Sequence, residues 1–206
     1  MYKRQTVGAS PQFNIPEDPF ILITAGGGGD GEGLMEWVLR AYEYDPDLPY
    51  PAVLVLGPFM SQEKQAEFLD RANRLDRVQA MTFDARIENL MSKAAGMVSM
   101  GGYNTFCEIL SFDKRALIIP RTEPRLEQYI RAKRAEELGL ISMLVDNGDH
   151  DPKEMAKSLR KLPSQPRPSE ILPTDILGGL PQVNRLARRW LRKSRDLRNI
   201  PVRQRA

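Results

Sequence analysis

Short apolar runs alternate with amphipathic stretches along most of this chain. Leu34, Val38 and Tyr42, for example, recur at the spacing that places residues on one face of a helix. Strands that are apolar throughout indicate a parallel sheet covered on both faces, with helices as right-handed crossovers. We therefore predict a doubly wound, Rossmann-like α/β fold with about six parallel strands. The predicted strands are Phe20–Ala25, Ala52–Leu56, Val78–Phe83, Met97–Met100, Ala116–Ile119 and Met143–Val145.

The same pattern divides the chain into segments. Residues 1–18 show no periodicity and are predicted to be an irregular N-terminal extension, whose first residues are typical of an appended or truncated start. Residues 19–162 are the predicted Rossmann-like domain, 163–179 a Pro-rich surface connection, and 180–206 a basic amphipathic helix and tail. Ligands of doubly wound sheets bind at the carboxyl ends of the strands, so the loops there are the candidate sites.

Composition narrows the class of protein. The net charge is +3, but nine of the 30 basic residues and one of the 27 acidic residues lie from Val183 onward. The remainder, with 21 basic and 26 acidic residues, is mildly acidic and gives no reason to expect a nucleic-acid partner. The single cysteine and the single histidine argue against a disulfide framework, a histidine metal site and a Ser-His-Asp triad. We expect a cytoplasmic protein.

A glycine-rich loop, Gly26–Gly33, follows the first predicted strand and opens a helix. Glycines allow the backbone to approach a phosphate, and the helix N-terminus supplies free N–H groups and a positive dipole end. A flexible turn is the alternative interpretation. The loop matches G-x-G-x-x-G, the fingerprint of dinucleotide binding. That function also requires an acidic residue at the end of the second strand, and this chain has none there. The Gly-Lys-Ser/Thr sequence of a P-loop is also missing after the loop. The sequence predicts a phosphate loop of another kind.

A second glycine-rich stretch, Gly101–Glu108, follows the fourth strand and leads into a helix from about Thr105. The Thr105 hydroxyl is placed to reach a phosphate, and Glu108, on the same helical face, is suited to accept two hydrogen bonds from a ribose diol. A capping box with Thr105 at the N-cap and Glu108 at N3 is equally compatible. The pair Glu127-Gln128 could bind sugar hydroxyls, although solvent exposure is the better interpretation of the pair taken alone.

The order of these features resembles one family, the donor-binding C-terminal domain of GT-B glycosyltransferases of family 28. The best-known member of that family adds N-acetylglucosamine during peptidoglycan synthesis. The resemblance covers roughly residues 20–146, and Gln165–Ser169 further resembles a group of predicted bacterial glycosyltransferases. It implies inverting, metal-independent transfer of a hexosyl group from a nucleotide sugar, with a UDP-sugar as the first choice and no cofactor. The stretches that carry the resemblance are Gly101–Glu108, Ala116–Arg121 and Glu127–Ala132.

The resemblance also implies roles for individual residues. The residues that would face the donor diphosphate are Gly27, Gly28, Gly29, Asp30, Gly31, Gly102 and Thr105. Those that would hold the nucleoside are Phe83, Asp84 and Ile87 around the base and Glu108 at the ribose hydroxyls. Glu127 and Gln128 would bind the transferred sugar. The family often has Ser or Arg where this chain has Met100-Gly101, which puts a phosphate-binding side chain there in doubt.

Two other candidates are interpreted as structural. Asp45-Pro46-Asp47 matches D-x-D, the metal–diphosphate motif of the other large glycosyltransferase fold, but it lies in a Pro-rich turn rather than at a strand end. We interpret it as a solvated turn and expect no bound metal, since N–H groups and helix dipoles stabilise the leaving diphosphate in GT-B enzymes. His150 lies in a polar loop beside a helix start and is expected at the surface.

The remaining expectations concern partners. The last helix has Arg185, Arg188 and Arg192 opposite an apolar stripe; we favour a packed helix, with a peripheral contact at the inner face of a membrane second and an RNA contact third.

The resemblance implies that an N-terminal domain or a separate subunit holds the acceptor and the catalytic base, and the chain is expected to be a fragment or a subunit. A nucleotide-sugar epimerase or hydrolase, or a non-catalytic nucleotide-binding module, is the alternative function.

Overall fold

The computed structural model describes residues 16–26, 29–84, 86–172 and 178–198, with side chains described as far as Arg192. The chain forms two compact units, Met1–Ile171 and Leu172–Ala206. The first contains the sheet and the second contains one long helix. Within the described ranges, no helix is both long enough and apolar enough to cross a membrane.

Strands and helices alternate through the first unit, as the periodicity predicts. The strands are β1 (Ile21–Thr24), β2 (Ala52–Val55), β3 (Val78–Met81), β4 (Gly96–Ser99), β5 (Ala116–Ile118) and β6 (Ser142–Met143). The helices of this unit are α1 (Glu32–Tyr44), α2 (Gln62–Asn73), α3 (Ile87–Lys93), α4 (Tyr103–Ser111), α5 (Glu127–Glu137), α6 (Pro152–Lys161) and α7 (Pro168–Ile171), with a 3-10 turn at Leu162–Ser164. The second unit contains α8 (Gly179–Arg198).

The six strands form one parallel sheet in the order β3-β2-β1-β4-β5-β6. β1 is central: Ile21 pairs with Ala52 of β2 on one side and with Gly96 of β4 on the other. This is the doubly wound α/β fold predicted from the apolar runs, and the prediction is confirmed. β3 is shorter than predicted and ends at Met81, because it is an edge strand whose ladder stops where β2 ends at Val55.

The core lies on both faces of the sheet. β1, β2 and β4 are buried along their whole length, as strands covered on both sides must be. Trp37 of α1 is fully buried, and its Nε1 donates a hydrogen bond to the backbone oxygen of Asp151 at 2.7 Å, which fixes α1 against the start of α6. The Asp151 side chain caps α6 by accepting from Lys153 N, as predicted.

Candidate functional site

The carboxyl edge of the sheet has a switch point beside β1. β2 lies on one side of β1 and β4 on the other, so the connections that leave β1 and β4 run in opposite directions. A crevice opens between two such connections, and ligands of doubly wound sheets bind there. The two glycine-rich stretches singled out in the sequence both begin at this crevice.

The two turns at the switch point are built alike. The Thr24 hydroxyl at the end of β1 accepts a hydrogen bond from Gly26 N at 3.1 Å, and the Ser99 hydroxyl at the end of β4 accepts one from Gly101 N at 3.2 Å. Gly26 and Gly101 have φ angles of +76° and +70°, which favour glycine. Hydroxyls that bond to the backbone two residues on stabilise such turns locally. The shared pattern Thr/Ser-x-Gly-Gly is a sequence signal of this turn that the predicted glycine-rich motifs did not include.

A cavity of about 270 Å³ lies between these turns. Its wall includes Ala25, Gly26 and the Ser99–Gly102 turn, together with Tyr103, Asn104 and Thr105 of the first turn of α4. Free backbone N–H groups at a helix start suit phosphate oxygens. The structure brings together here residues that the sequence assigned to different parts of a donor. Those predicted residues in its wall are Asp30, Gly102, Thr105 and Gln128.

A larger cavity of about 920 Å³ adjoins the first and shares Asp30, Met100 and Arg121 with it. Its wall comes from residues after β1, β5 and β6, including Gly29 of the first glycine-rich loop. Gly31, by contrast, lines neither cavity: it is buried at the start of α1, where an added Cβ would fall 2.1 Å from Ala25 Cβ. Gly27 and Gly28 lie outside the described residues.

α4 begins two residues earlier than predicted, at Tyr103, with Gly102 at its N-cap. The capping-box interpretation of Thr105 and Glu108 is therefore wrong, because Thr105 is already inside the helix. Gly102 has no side chain to cap this end, and no described side chain does so; the first turn closes by a backbone bond from Phe106 N to Gly102 O at 2.8 Å. The uncapped N–H groups and the positive end of the helix dipole thus lie beside the smaller cavity.

Glu108 lies one turn further along α4 and lines neither cavity. It is partly buried, and burial followed by the nearby carboxylate of Glu88 in α3 raises the pKa of Glu108. α3 and α4 therefore carry these two acids close together. The predicted base-pocket residues lie at the start of α3: Phe83 and Asp84 come just before this helix, and Ile87 is its first residue. The Phe83 side chain is 56% exposed, and Asp84 accepts a hydrogen bond from Arg86 N at 2.7 Å.

Arg121, directly after β5, joins the predicted diphosphate and sugar residues. Its Nη1 donates to Asp30 Oδ2 at 2.7 Å and its Nη2 to Glu127 Oε1 at 3.0 Å. Its backbone N–H donates to Gln128 Oε1 at 3.1 Å, and Gln128 is 9% exposed, so the solvent-exposed interpretation is wrong for that residue. The sequence alone assigned no role to Arg121, although a cation directly after the proline that follows β5 is a visible signal.

Ion pairing defines the charge state of this group. The hydrogen bonds that the guanidinium donates to Asp30 and Glu127 raise the pKa of Arg121. A hydrogen bond from its own backbone N–H, and then the Arg121 guanidinium, lower the pKa of Glu127, so this carboxyl is ionised at neutral pH. The Arg121 Nε is buried and has no hydrogen-bond partner among the described residues. Such an unpaired donor costs about 1–3 kcal/mol.

The structural candidates lie elsewhere or are already paired. Asp45 of the D-x-D stretch is the C-cap residue of α1 and accepts from Arg160 at 2.6 to 2.9 Å. Because α1 connects two parallel strands, its C-terminal end lies at the edge of the sheet opposite the switch point. His150 is less exposed than expected: its side chain is 18% exposed, and its Nε2 lies 2.9 Å from Asp146 Oδ2. The ring also packs against Trp37, which explains the burial.

Across the part of the chain that the structure describes, no group of three or more His, Cys, Asp or Glu side chains is placed to hold a metal ion.

Solved structures define the class. CalG4, the calicheamicin glycosyltransferase, superimposes with a TM-score of 0.57 at 18% identity, covering 77% of this chain and 36% of that one. MurG from Acinetobacter baumannii superimposes with a TM-score of 0.52 at 16% identity, covering 74% of this chain and 47% of that one. A UGT transferase from Siraitia grosvenorii in complex with UDP superimposes with a TM-score of 0.53 at 17% identity, covering 69% of this chain and 36% of that one. The fold is that of the C-terminal half of a GT-B glycosyltransferase.

The chain belongs to the glycosyltransferase family 28 C-terminal domain family, whose profile matches residues 21–170. This confirms the family that the sequence resembled, and makes the first unit a sugar-donor-binding domain of the GT-B class. The chain spans between 36% and 47% of the length of the solved structures named above. Among curated proteins, no sequence gives a significant match.

Proposed function

We propose that this chain binds a UDP-sugar and presents it for inverting, metal-independent hexosyl transfer. The observation that carries the proposal is the pair of Thr/Ser-x-Gly-Gly turns at the switch point, with a cavity between them. The uncapped start of α4 adds N–H groups and a positive dipole end to that cavity. Backbone donors held in place need no metal to stabilise a leaving diphosphate.

The nucleoside would extend from this cavity toward α3 and α4. Glu108 of α4 and Glu88 of α3 are close enough to interact electrostatically, and Phe83, Asp84 and Ile87 lie at the start of α3. A base placed along α3 would therefore leave the ribose diol within reach of the Glu108 carboxylate. The UDP bound by the Siraitia grosvenorii enzyme, which shares this fold, supports uridine as the nucleoside to test first.

The sugar would lie on the other side of the diphosphate, beside Glu127 and Gln128 at the start of α5. An inverting reaction also needs a base that deprotonates the acceptor hydroxyl. We propose that this base and the acceptor site belong to an N-terminal domain or a separate subunit. Release of free sugar or interconversion of the donor by the chain alone would point instead to a hydrolase or an epimerase.

Calorimetric titration with UDP tests the proposal. Glu108→Ala should weaken UDP binding about tenfold or more, because hydrogen bonds to a charged group contribute about 1.5–3 kcal/mol each. Glu88→Ala is the matched control, since it removes the neighbouring carboxylate without removing the ribose ligand, and should bind UDP as the unmodified chain does. Absence of UDP binding, or equal affinity in Glu108→Ala, would refute the assignment.

The second unit is proposed to contact the acceptor-binding partner. In α8, Leu186 and Trp190 lie on one helical face and Arg188 and Arg192 on the opposite one, and no other described element of that unit covers the apolar face. Sedimentation with vesicles of phosphatidylcholine, with and without phosphatidylglycerol, separates a protein partner from a membrane. We expect no sedimentation; binding that requires the anionic lipid would favour the membrane contact instead.

A further inference from the structure

Arg121 lies where the two cavities meet. Together with Asp30 and Met100 it contributes to both walls. It also contacts Glu127 and Gln128, the residues proposed to bind the donor sugar. A ligand that extends from the smaller cavity into the larger one would therefore lie beside Arg121.

The walls of the two cavities contain more carboxylates than cations, so an anionic ligand needs a cation there to bind. Among the described residues that line the two cavities, Arg121 is the single cation, whereas Asp30, Glu123 and Asp146 are carboxylates. Like charges at close range repel, and a diphosphate entering these walls would meet an excess of negative charge. The uncapped N–H groups at the start of α4 offset part of that repulsion. Arg121 is the cation among these lining residues that can offset more of it.

The guanidinium is held in a way that permits exchange. It donates to Asp30 and Glu127 from its two Nη atoms, and in the described part of the chain its Nε has no partner. The Arg121 and Asp30 side chains are 30% and 38% exposed, so their ion pair is weak enough for a ligand to replace. A phosphate group offers the same planar pair of acceptor oxygens as a carboxylate, which suits the guanidinium fork.

We propose that Arg121 binds the β-phosphate of the donor, and that Asp30 occupies the guanidinium until the phosphate displaces it. The β-phosphate is the one bonded to the sugar, and Arg121 lies beside the proposed sugar residues. The proposal rests on the proposed function, because it assumes that a nucleoside diphosphate enters the smaller cavity. It gives Asp30 a role different from that of a phosphate ligand, since a carboxylate repels phosphate.

This exchange predicts effects of opposite sign. Arg121→Gln removes the cation, and UDP affinity should fall about tenfold or more. Asp30→Asn removes the competing carboxylate, and UDP affinity should rise about two- to fivefold, the worth of an exposed ion pair. If the ion pair only held the loop in place, both variants would weaken binding. Opposite signs therefore distinguish ligand exchange from a structural contact.

The experiment compares UDP with UMP by calorimetry at one fixed ionic strength. Arg121→Gln should weaken UMP less than about threefold, because UMP lacks the β-phosphate. The double variant Asp30→Asn/Arg121→Gln should lose the gain of Asp30→Asn. Arg125→Gln is the matched control, because Arg125 is an exposed arginine of the same segment that lines neither cavity. Thermal midpoints of all variants verify folding.

Three outcomes would overturn the proposal: equal losses for UDP and UMP in Arg121→Gln, weaker UDP binding in Asp30→Asn, or a loss in Arg125→Gln as large as that in Arg121→Gln. UDP binding that depends on Glu108 and not on Arg121 would refute this inference and leave the proposed function intact. A chain that binds neither nucleotide would refute both.

Discussion

A methyl group added at Gly101 should damage the site through both backbone conformation and packing. Its φ is +70°, a region that side chains rarely adopt, and an added Cβ would fall 2.7 Å from Ile118 Cγ2. Ile118 is the last residue of β5 and is fully buried, so it has no free space to move into. Gly101→Ala therefore combines backbone strain with overpacking against the buried end of β5.

The magnitude follows from these two contributions. A left-handed conformation costs a non-glycine residue about 1–2 kcal/mol. Forcing a methyl group into a packed core costs about 1–3 kcal/mol more. We expect Gly101→Ala to lower the free energy of unfolding by about 2–5 kcal/mol, which for a unit of this size corresponds to a fall of about 4–20 °C in the thermal midpoint.

Gly102→Ala is the matched comparison, one residue further along the chain. Its φ is −52°, and an added Cβ has no atom within 4 Å. We expect a loss of only about 0.5–1 kcal/mol from the poorer N-cap. The new methyl group would nevertheless project from a residue that lines the smaller cavity, so UDP binding should fall although folding does not. The two variants thus separate stability from binding at adjacent positions.

Thermal and urea unfolding, each with and without UDP, measure both effects. A further variant, Gly101→Ala/Ile118→Ala, removes the clashing methyl group and should be less destabilised than the sum of its two single changes. Equal thermal midpoints for Gly101→Ala and Gly102→Ala would refute the steric argument. Simple additivity in the double variant would show that Ile118 is not the source of the strain.

Two further predictions concern stability. Because burial raises the pKa of Glu108, the ionised form of this side chain destabilises the folded state. Glu108→Gln should therefore gain stability relative to the unmodified chain as pH rises from about 4 to 7. Equal stabilities across that range would contradict the burial argument. Trp37→Phe should cost about 2–4 kcal/mol in urea unfolding, since it removes buried volume and the hydrogen bond to Asp151. Trp190→Phe in α8 should leave that transition unchanged; a similar loss there would contradict the assignment of the effect to the first unit.

The fold was predictable because its signals are local. Each strand is a short apolar run and each helix has its own periodic face, so the alternation of elements needs no knowledge of distant contacts. The start of α4 was predicted two residues late for the same reason. Local capping rules favour Thr105, but the helix begins after Gly102, where backbone atoms alone close the first turn.

The candidate site was predictable only in part. The glycine-rich stretches mark the ends of β1 and β4 in the sequence, and the strand order brings them together at one crevice. The matching hydroxyls of Thr24 and Ser99 were visible in the sequence, but their function as turn acceptors depends on the positive φ angles of Gly26 and Gly101. Gln128 could not be distinguished from a surface residue until its amide was seen to bind the backbone of Arg121.

The sequence by itself determined the class of fold, the family and most of the residues at the carboxyl edge, because periodicity, turn chemistry and motif order are properties of neighbouring residues. Only the tertiary structure decided which charged side chains form ion pairs. Asp30 and Arg121 are 91 residues apart in the sequence, and they meet because the loops after β1 and β5 lie at the same edge of the sheet with only β4 between the two strands. A pair of that kind has no local signal, since its geometry depends on the order of the strands and not on the residues around either partner.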